Sequence, residues 1–463
     1  MESLTLRMAS DERASCMSLA ASPPGPEGTY LVGNLLDYAR NPLLFLTRCS
    51  REYGDVVRLH FPGPPVYLLN GSDHVKHVLV KHNRNFIKGR YFRQELSFLG
   101  RGLLTSEGEF WRRQRRLSQP AFHRQRINAY GEVMVSYAER MLEGWREGET
   151  RDVHQEMMRL LLEVVAKVLF DAEIDRAEEV GKALGRVAKR FDEQGSAKLL
   201  RFLLGRLPTP TDLRFRKAVK QLDELIYGII NERRTSGKDT GDLLSMLLHA
   251  RDEEGERMSD KQLRDEAMTI LLAGPETNAL ALSWSCYLLS QHPEVEAKLL
   301  GELREVLGDR APTLEDLPQL RYTEMVLKES MRLYPPAWSI SREAKGECEI
   351  GGYRVPAGTQ LFIAQWVIHR DPRHFEDPEA FEPERWIDGY GERIPKYAYL
   401  PFGAGPRLCI GSSFAVMEAT LLLAMIAKRF RLELASGRRV IPQPSVTLRP
   451  RGGIEMRLKK RPL

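Results

Sequence analysis

Pro401-Phe-Gly-Ala-Gly-Pro-Arg-Leu-Cys-Ile-Gly411 sets three glycines and one cysteine directly before an apolar helical run. Gly403, Gly405 and Gly411 carry no Cβ, so the backbone can turn sharply and lie close against a flat ligand. Cys409 then stands just ahead of a helix whose apolar positions run through Phe414, Met417, Leu421 and Ile426. Amides at that helix start, with the positive end of its dipole, favour sulfur as a thiolate. A lone cysteine in apolar company is ordinarily a packing residue. Here its neighbours argue otherwise. F-G-x-G-x-R-x-C-x-G fixes six residue types over ten positions, and average usage puts its chance occurrence in a chain this long on the order of one in 10⁵.

The chain has 463 residues and 42% hydrophobic content, enough to bury a large core. Its net charge of +6 is spread along the sequence rather than gathered in a tail, which argues against a nucleic-acid partner. Cys16, Cys49, Cys286, Cys348 and Cys409 are odd in number and show no C-x-x-C or zinc spacing, so no disulfide framework is expected and a cytoplasmic location fits. Residues 1–22 read as a flexible N-terminal extension. They hold neither the ~20 apolar residues that span a bilayer nor a positively headed signal peptide, so no integral membrane segment is expected.

A second informative stretch begins at Ser259, which with Gln262 makes a capping-box signature. The helix it opens continues to about Ser290, roughly 45 Å at ~1.5 Å per residue. Ala273-Gly-Pro-Glu-Thr277 lies in its middle. The proline removes one backbone hydrogen bond and kinks the helix, and the glycine leaves room beside it. Small residues at such a break open a pocket suited to a diatomic ligand, while Glu276 and Thr277 bring an acid and a hydroxyl able to move protons. A helical Gly-Pro can equally be a plain structural kink.

Elsewhere, Trp111 and Arg115 stand four apart on one helix face, and Glu329 and Arg332 stand three apart on a helix that Pro335 must end. Arg112, Arg113, Arg116, Arg124 and Arg126 form a basic run with no acid between Trp111 and Arg126. Such a run is usually a solvated face, but it also suits an acidic protein partner. Residues 41–53 read as a helix, 55–61 and 66–69 as a β-hairpin, and 349–355 and 359–364 as further strands. Residues 127–258 are helical, with an apolar patch at Leu199–Leu204.

The loop pattern resembles the heme-binding loop of the cytochrome P450 superfamily, and the other stretches resemble that family's signatures in order and spacing from about Pro23 to Arg457. The resemblance implies a mainly α fold with a minor β lobe, as one domain over residues 23–463. It implies heme b with Cys409 as the iron ligand, and Phe402, Gly411, Ala273 and Gly274 beside the cofactor. Trp111, Arg115, Arg342 and Arg407 would reach its propionates. Ala273–Thr277 matches the A-G-x-E-T oxygen-binding motif, with Pro275 an unusual occupant of the variable position. Glu329, Arg332 and Arg385 match a Glu-Arg-Arg structural network. Phe98, Leu104, Thr269, Leu272, Ala273, Ala337, Trp338, Ile340 and Val446 match pocket-lining positions, and Leu199–Leu204 matches a mobile lid. The implied activity is insertion of one oxygen atom from O2 into a lipophilic substrate such as a fatty acid, terpenoid or steroid. Electrons would come from a separate ferredoxin or flavodoxin with its reductase, because no such module is expected within the chain. A peroxygenase or thiolate-heme isomerase, or a heme gas sensor, is the alternative. The former two have no need of the Glu276–Thr277 pair.

Overall fold

The computed structural model describes residues 22–123, 130–171, 180–187, 210–237, 239, 241–435, 437 and 439–461. The extension expected over residues 1–22, apart from Ser22, lies outside these, as do Cys16, Arg124, Arg126 and the patch at 199–204. The chain divides into two compact units, one formed by residues 1–89 and 341–363 and the other by 90–340 and 364–463.

The smaller unit is built on a five-stranded sheet. Val56–Leu59 and Val66–Leu69 form the expected antiparallel hairpin, with Val56 opposite Leu69. Val66–Leu69 then pairs in parallel with Gln360–Ile363, so it is covered on both edges and both faces; all four of its residues are buried. The helix Pro42–Tyr53 starts where sequence chemistry places it. The Asn41 side chain accepts from the Leu44 amide at 3.1 Å and Pro42 occupies the first turn. Leu43, Leu46 and Cys49 form its buried stripe, and Gly54 ends it at φ +90°. The single strand expected over 349–355 is instead two, Cys348–Ile350 and Tyr353–Val355, paired antiparallel. Gly351 and Gly352 sit at φ +59° and +81°, the two left-handed positions that close a tight hairpin, and they break the run.

The larger unit is helical, with two small sheets, Thr150–Asp152/Glu455–Lys460/Phe430–Leu434 and Pro442–Pro444/Leu448–Pro450. Its axis is the helix Asp260–Gln291, which packs against Val153–Phe170, Pro210–Ser236, Arg321–Leu333 and Ser412–Arg429. The Ser259–Gln262 capping box is formed reciprocally, at 3.3 and 2.7 Å. Being surrounded, this helix is buried over nearly its whole circumference, including Leu263–Thr269 and Asn278–Leu289. Pro275 lies inside it without ending it. Trp284 fixes the C-terminal half by stacking on Tyr334, with ring centres 4.2 Å apart, and by donating to the Leu448 carbonyl at 3.0 Å. Among the described residues no helix is long and apolar enough to cross a membrane, and Cys49, Cys286, Cys348 and Cys409 are all free.

Candidate active site

The cysteine loop is held by its own backbone. The Cys409 amide donates to the Phe402 carbonyl at 3.0 Å, closing a turn that Gly403 at φ +75° and Gly405 at φ +69° make possible. Leu400, at the root of the loop, is fixed on both sides: its amide donates to His369 Nε2 at 2.9 Å and its carbonyl accepts from Gln365 Nε2 at 2.7 Å. The helix that follows is Ser412–Arg429, with Gly411 at its cap.

Cys409 is exposed by surface area, yet protein crowds it closely enough that desolvation raises its thiol pKa. Two features oppose the rise: the Gly411 amide hydrogen-bonds to the sulfur and the Arg115 charge attracts it. Burial lowers the pKa of Arg115, whose Nη1 donates to the Leu408 carbonyl at 2.7 Å. Arg407 lies with its guanidinium carbon 5.6 Å from the Trp111 ring centre and forms an ion pair with Glu107. Trp111, Arg115, Arg407 and Cys409 are thus brought together by the helix Gly108–Ser118 and the loop. Arg342 belongs to the smaller unit, where it is buried and donates to the Ser341 carbonyl at 2.8 Å.

The long helix carries the second group of expected site residues. Midway along an otherwise buried rod, Leu272, Ala273, Glu276 and Thr277 are partly accessible and Gly274 is exposed. A Cβ built on Gly274 would meet nothing nearer than Val165 Cγ2 at 3.9 Å. The Thr277 hydroxyl donates to the Ala273 carbonyl at 2.9 Å. The Glu276 carboxylate accepts from the Thr447 hydroxyl at 2.5 Å and from Arg449 Nε and Nη2 at 2.8 and 2.5 Å. One residue on, Asn278 Nδ2 donates to Glu418 at 2.5 Å; burial pushes the Glu418 carboxyl up to about 8.

These residues fit a heme. They offer one sulfur ligand, an open glycine window, and two arginines with an indole N–H of the kind that hold propionates. Glu107 already supplies a carboxylate to Arg407, which the sequence reading did not anticipate.

Of the pocket residues, Phe98, Leu104, Leu272 and Val446 pack against one apolar cluster, and the Phe98 ring meets Phe215 edge-on at 5.1 Å. Ala337 and Ile340 are half-buried, with Ile340 Cδ1 3.7 Å from a Cβ position on Gly403. Trp338 is buried and donates to the Ser445 carbonyl at 2.8 Å. Thr269 is buried too, its hydroxyl taken by the Asp265 carbonyl of its own helix at 2.7 Å.

Glu329 accepts from Arg332 Nη2 and Nε at 2.8 and 2.9 Å, from Arg385 Nε at 3.4 Å and from Trp386 Nε1 at 2.9 Å. The basic run differs from its expected open face. Arg112 pairs with Glu109, Arg113 with Asp252 at 2.6 Å, and Arg116 with Glu253 at 2.7 Å. The last two acids are distant in sequence.

A cytochrome P450 family model matches residues 23–456. Cyclooctatin synthase of Streptomyces melanosporofaciens is 40% identical over 91% of this chain and 92% of that protein. Cyclooctat-9-en-7-ol 5-monooxygenase of the same organism is 39% identical over 89% and 90%, and pentalenene oxygenase of Streptomyces avermitilis 32% identical over 96% and 98%. The solved structure of the cytochrome P450DA heme domain superposes with a TM-score of 0.85 at 27% identity, over 96% of this chain and 98% of that one.

Proposed function

The chain belongs to the cytochrome P450 family, and from that premise we propose that it is a heme-thiolate monooxygenase acting on a terpenoid, with electrons from a separate ferredoxin- or flavodoxin-type donor. The overall reaction consumes O2, two electrons and two protons, and yields one hydroxylated product and one water. Heme b, bound through Cys409, supplies the activation of O2.

The observation that carries this reading is the glycine-turned loop that presents Cys409, closed by its amide on the Phe402 carbonyl at 3.0 Å and held by Arg115 on the Leu408 carbonyl at 2.7 Å, with the Gly411 amide and the Arg115 charge acting on the sulfur. Both oppose the rise that burial imposes on the thiol, and so offset part of the cost of the thiolate that would bind iron. Arg115, Arg407 and Trp111 would hold the propionate edge, with Glu107 yielding or sharing Arg407. The chain's own proton chemistry lies at the window in the long helix. Thr277 can release its bond to the Ala273 carbonyl and offer its hydroxyl to the pocket. Glu276 stands next to it in sequence, oriented by Arg449 and Thr447. Phe98, Leu104, Leu272 and Val446 exclude water and suit an apolar substrate.

Terpenoids are favoured over fatty acids and steroids by the relatives named for cyclooctat-9-en-7-ol and pentalenene. Two measurements test the reading. Reduced protein with carbon monoxide should give the thiolate-ligated absorbance, lost in Cys409→Ser; an imidazole-type spectrum in intact protein overturns heme-thiolate ligation. Titration with cyclic diterpene and sesquiterpene alcohols should shift the heme absorbance at lower concentrations than fatty acids do, and the reverse order overturns the substrate class. Reconstituting turnover with ferredoxin and with flavodoxin, each with its reductase, identifies the donor.

A further inference from the structure

Three consecutive charged residues, Arg264, Asp265 and Glu266, are buried in the first half of the long helix at 7%, 3% and 1% exposure. Burying charge is costly unless hydrogen bonds and counter-charges compensate. Lys261, one turn earlier, brings its ammonium to 3.3 Å from Asp265 Oδ2, and one loop adds three hydrogen bonds. The Phe98 carbonyl accepts from Arg264 Nη2 at 3.0 Å. The Arg101 amide donates to Asp265 Oδ2 at 2.8 Å, and the Leu103 amide donates to Glu266 Oε2 at 2.9 Å. Arg264 is itself braced, by Asp265 Oδ1 at 2.9 Å and by Asp223 of the helix Pro210–Ser236 at 2.7 Å.

The loop backbone is shaped to reach these groups. Gly100 sits at φ +69°, and a Cβ there would stand 2.2 Å from Asp265 Oδ1. A Cβ on Gly102 would stand 2.1 Å from Thr269 Oγ1 and 2.5 Å from the Asp265 carbonyl. Neither position admits a side chain while the loop stays docked. Thr105 closes the loop on itself by donating to the Gly100 carbonyl at 2.7 Å.

We propose that Arg264, Asp265 and Glu266 form a latch that fixes the segment 98–104 as one rigid lid, and that they thereby determine which carbon of the substrate is presented for oxidation without touching the substrate. Phe98 and Leu104 stand at the two ends of the latched segment and pack in the same cluster as Leu272 and Val446. The inference rests on the reading of these four side chains as the pocket lining. Because all three bonds run from one helix to backbone groups within six residues, the lid opens as a unit, and opening uncovers all three charges together. These are positioning residues: their effect reaches the substrate only through Phe98 and Leu104.

The test compares holoenzyme with Asp265→Ala, Glu266→Ala and the near-isosteric Asp265→Asn, which keeps an acceptor for the Arg101 amide. Hydrogen exchange, read without substrate or turnover, should show the Arg101 amide exchanging on the order of tenfold to a hundredfold faster in Asp265→Ala, and the Leu103 amide likewise in Glu266→Ala, as expected for loss of a bond to a buried charged group. Amides of Leu280–Leu289 should not change. Dissociation of 4-phenylimidazole, followed by stopped flow, should quicken in the same two variants. The product distribution from the best terpenoid substrate should broaden, and Asp265→Asn should restore most of it. Unchanged exchange at Arg101 and Leu103 overturns the latch. Faster exchange with unchanged dissociation and product distribution shows that the lid does not border the pocket, which overturns the specificity role and leaves the monooxygenase assignment standing. If the alanine variants do not fold, Gly102→Ala, whose Cβ would stand 2.1 Å from Thr269 Oγ1 in the docked loop, reads the latch from the loop side: faster exchange at Arg101 and Leu103 supports it and unchanged exchange overturns it.

Discussion

Replacing Glu329 by leucine should be among the most damaging single changes in the molecule. Glu329 and Arg332 are both 0% exposed and Arg385 is 4% exposed. The carboxylate accepts from Arg332 twice, from Arg385, from the Trp386 indole and from the Glu382 amide at 3.2 Å. Its removal leaves Arg332 with the carbonyls of His369, Pro378 and Ala380 and the face of the Phe375 ring, none of which carries the charge to neutralise a buried cation. Breaking a buried pair from one side costs about 3–5 kcal/mol, a large share of the ~5–15 kcal/mol that keeps a typical protein folded. Replacing both partners, as in Glu329→Leu with Arg332→Met, removes the orphaned charge, so the double variant should lose less than the sum of the two singles by at least ~1 kcal/mol. Urea unfolding of holoenzyme, followed by far-UV circular dichroism and heme absorbance, supplies the four stabilities. A Glu329→Leu protein that retains heme and unfolds within ~1 kcal/mol of the parent, or four stabilities that simply add, would refute the account of this network as a charge-compensated brace.

Thr277→Ala should leave substrate affinity intact while product formed per electron consumed falls and hydrogen peroxide rises; a positioned acid contributes ~10²–10⁴-fold to such a step, less where water replaces the hydroxyl, and full coupling would show Thr277 to be structural only. Arg449→Ala removes two charge-assisted bonds from Glu276 and should lower coupling roughly threefold to tenfold, with Arg449→Lys partly restoring it; equal coupling in all three proteins sinks the role. Glu418 gives a pH signature. Its carboxyl is raised to about 8 from 4.5, so between these values the folded state holds a proton that the unfolded chain releases. Stability from this group is therefore full below pH ~4.5, declines as pH rises towards ~8 and is level beyond, by at most roughly 5 kcal/mol for 3.5 units. Glu418→Gln should lack that decline, and parallel pH profiles for the two proteins would contradict it.

What the sequence disclosed was what short spacing encodes. The turn at Gly403 and Gly405, the capping box at Ser259 and the three-residue step from Glu329 to Arg332 are local geometry, and each stands in the structure where the spacing puts it. What stayed hidden was pairing across long separations. Glu107 meets Arg407 across 300 residues, and Arg449 meets Glu276 across 173. No periodicity records such a meeting. The polar run Arg264-Asp265-Glu266 carries no local sign of burial, because three adjacent charges cover over half the helix circumference and only a loop folded over them can bury all three. Thr269 and Thr277 share one local device, each hydroxyl donating to the carbonyl four residues back in the same helix. The 349–355 misreading came from two glycines that read equally as strand interruption or as turn until both take positive φ.

The arginine-rich helix Gly108–Ser118 shows how the same residue type divides its work by direction. At 100° per residue, Trp111 and Arg115 share one face and converge with the cysteine loop, while Arg112, Arg113 and Arg116 look elsewhere. Those three are not equivalent as docking charges. Arg113 and Asp252 are 24% and 7% exposed, so a partner competing for Arg113 would strand a nearly buried carboxylate. Arg116 and Glu253 are 60% and 74% exposed, and an exposed pair of this kind holds together by only ~0–1 kcal/mol. Were an acidic donor protein to dock on this helix, it would draw on Arg116, and on Arg112 beside it, at small cost by displacing an intramolecular acid. It would gain little from Arg113, whose charge is committed to holding the Arg251–Arg257 turn against the helix.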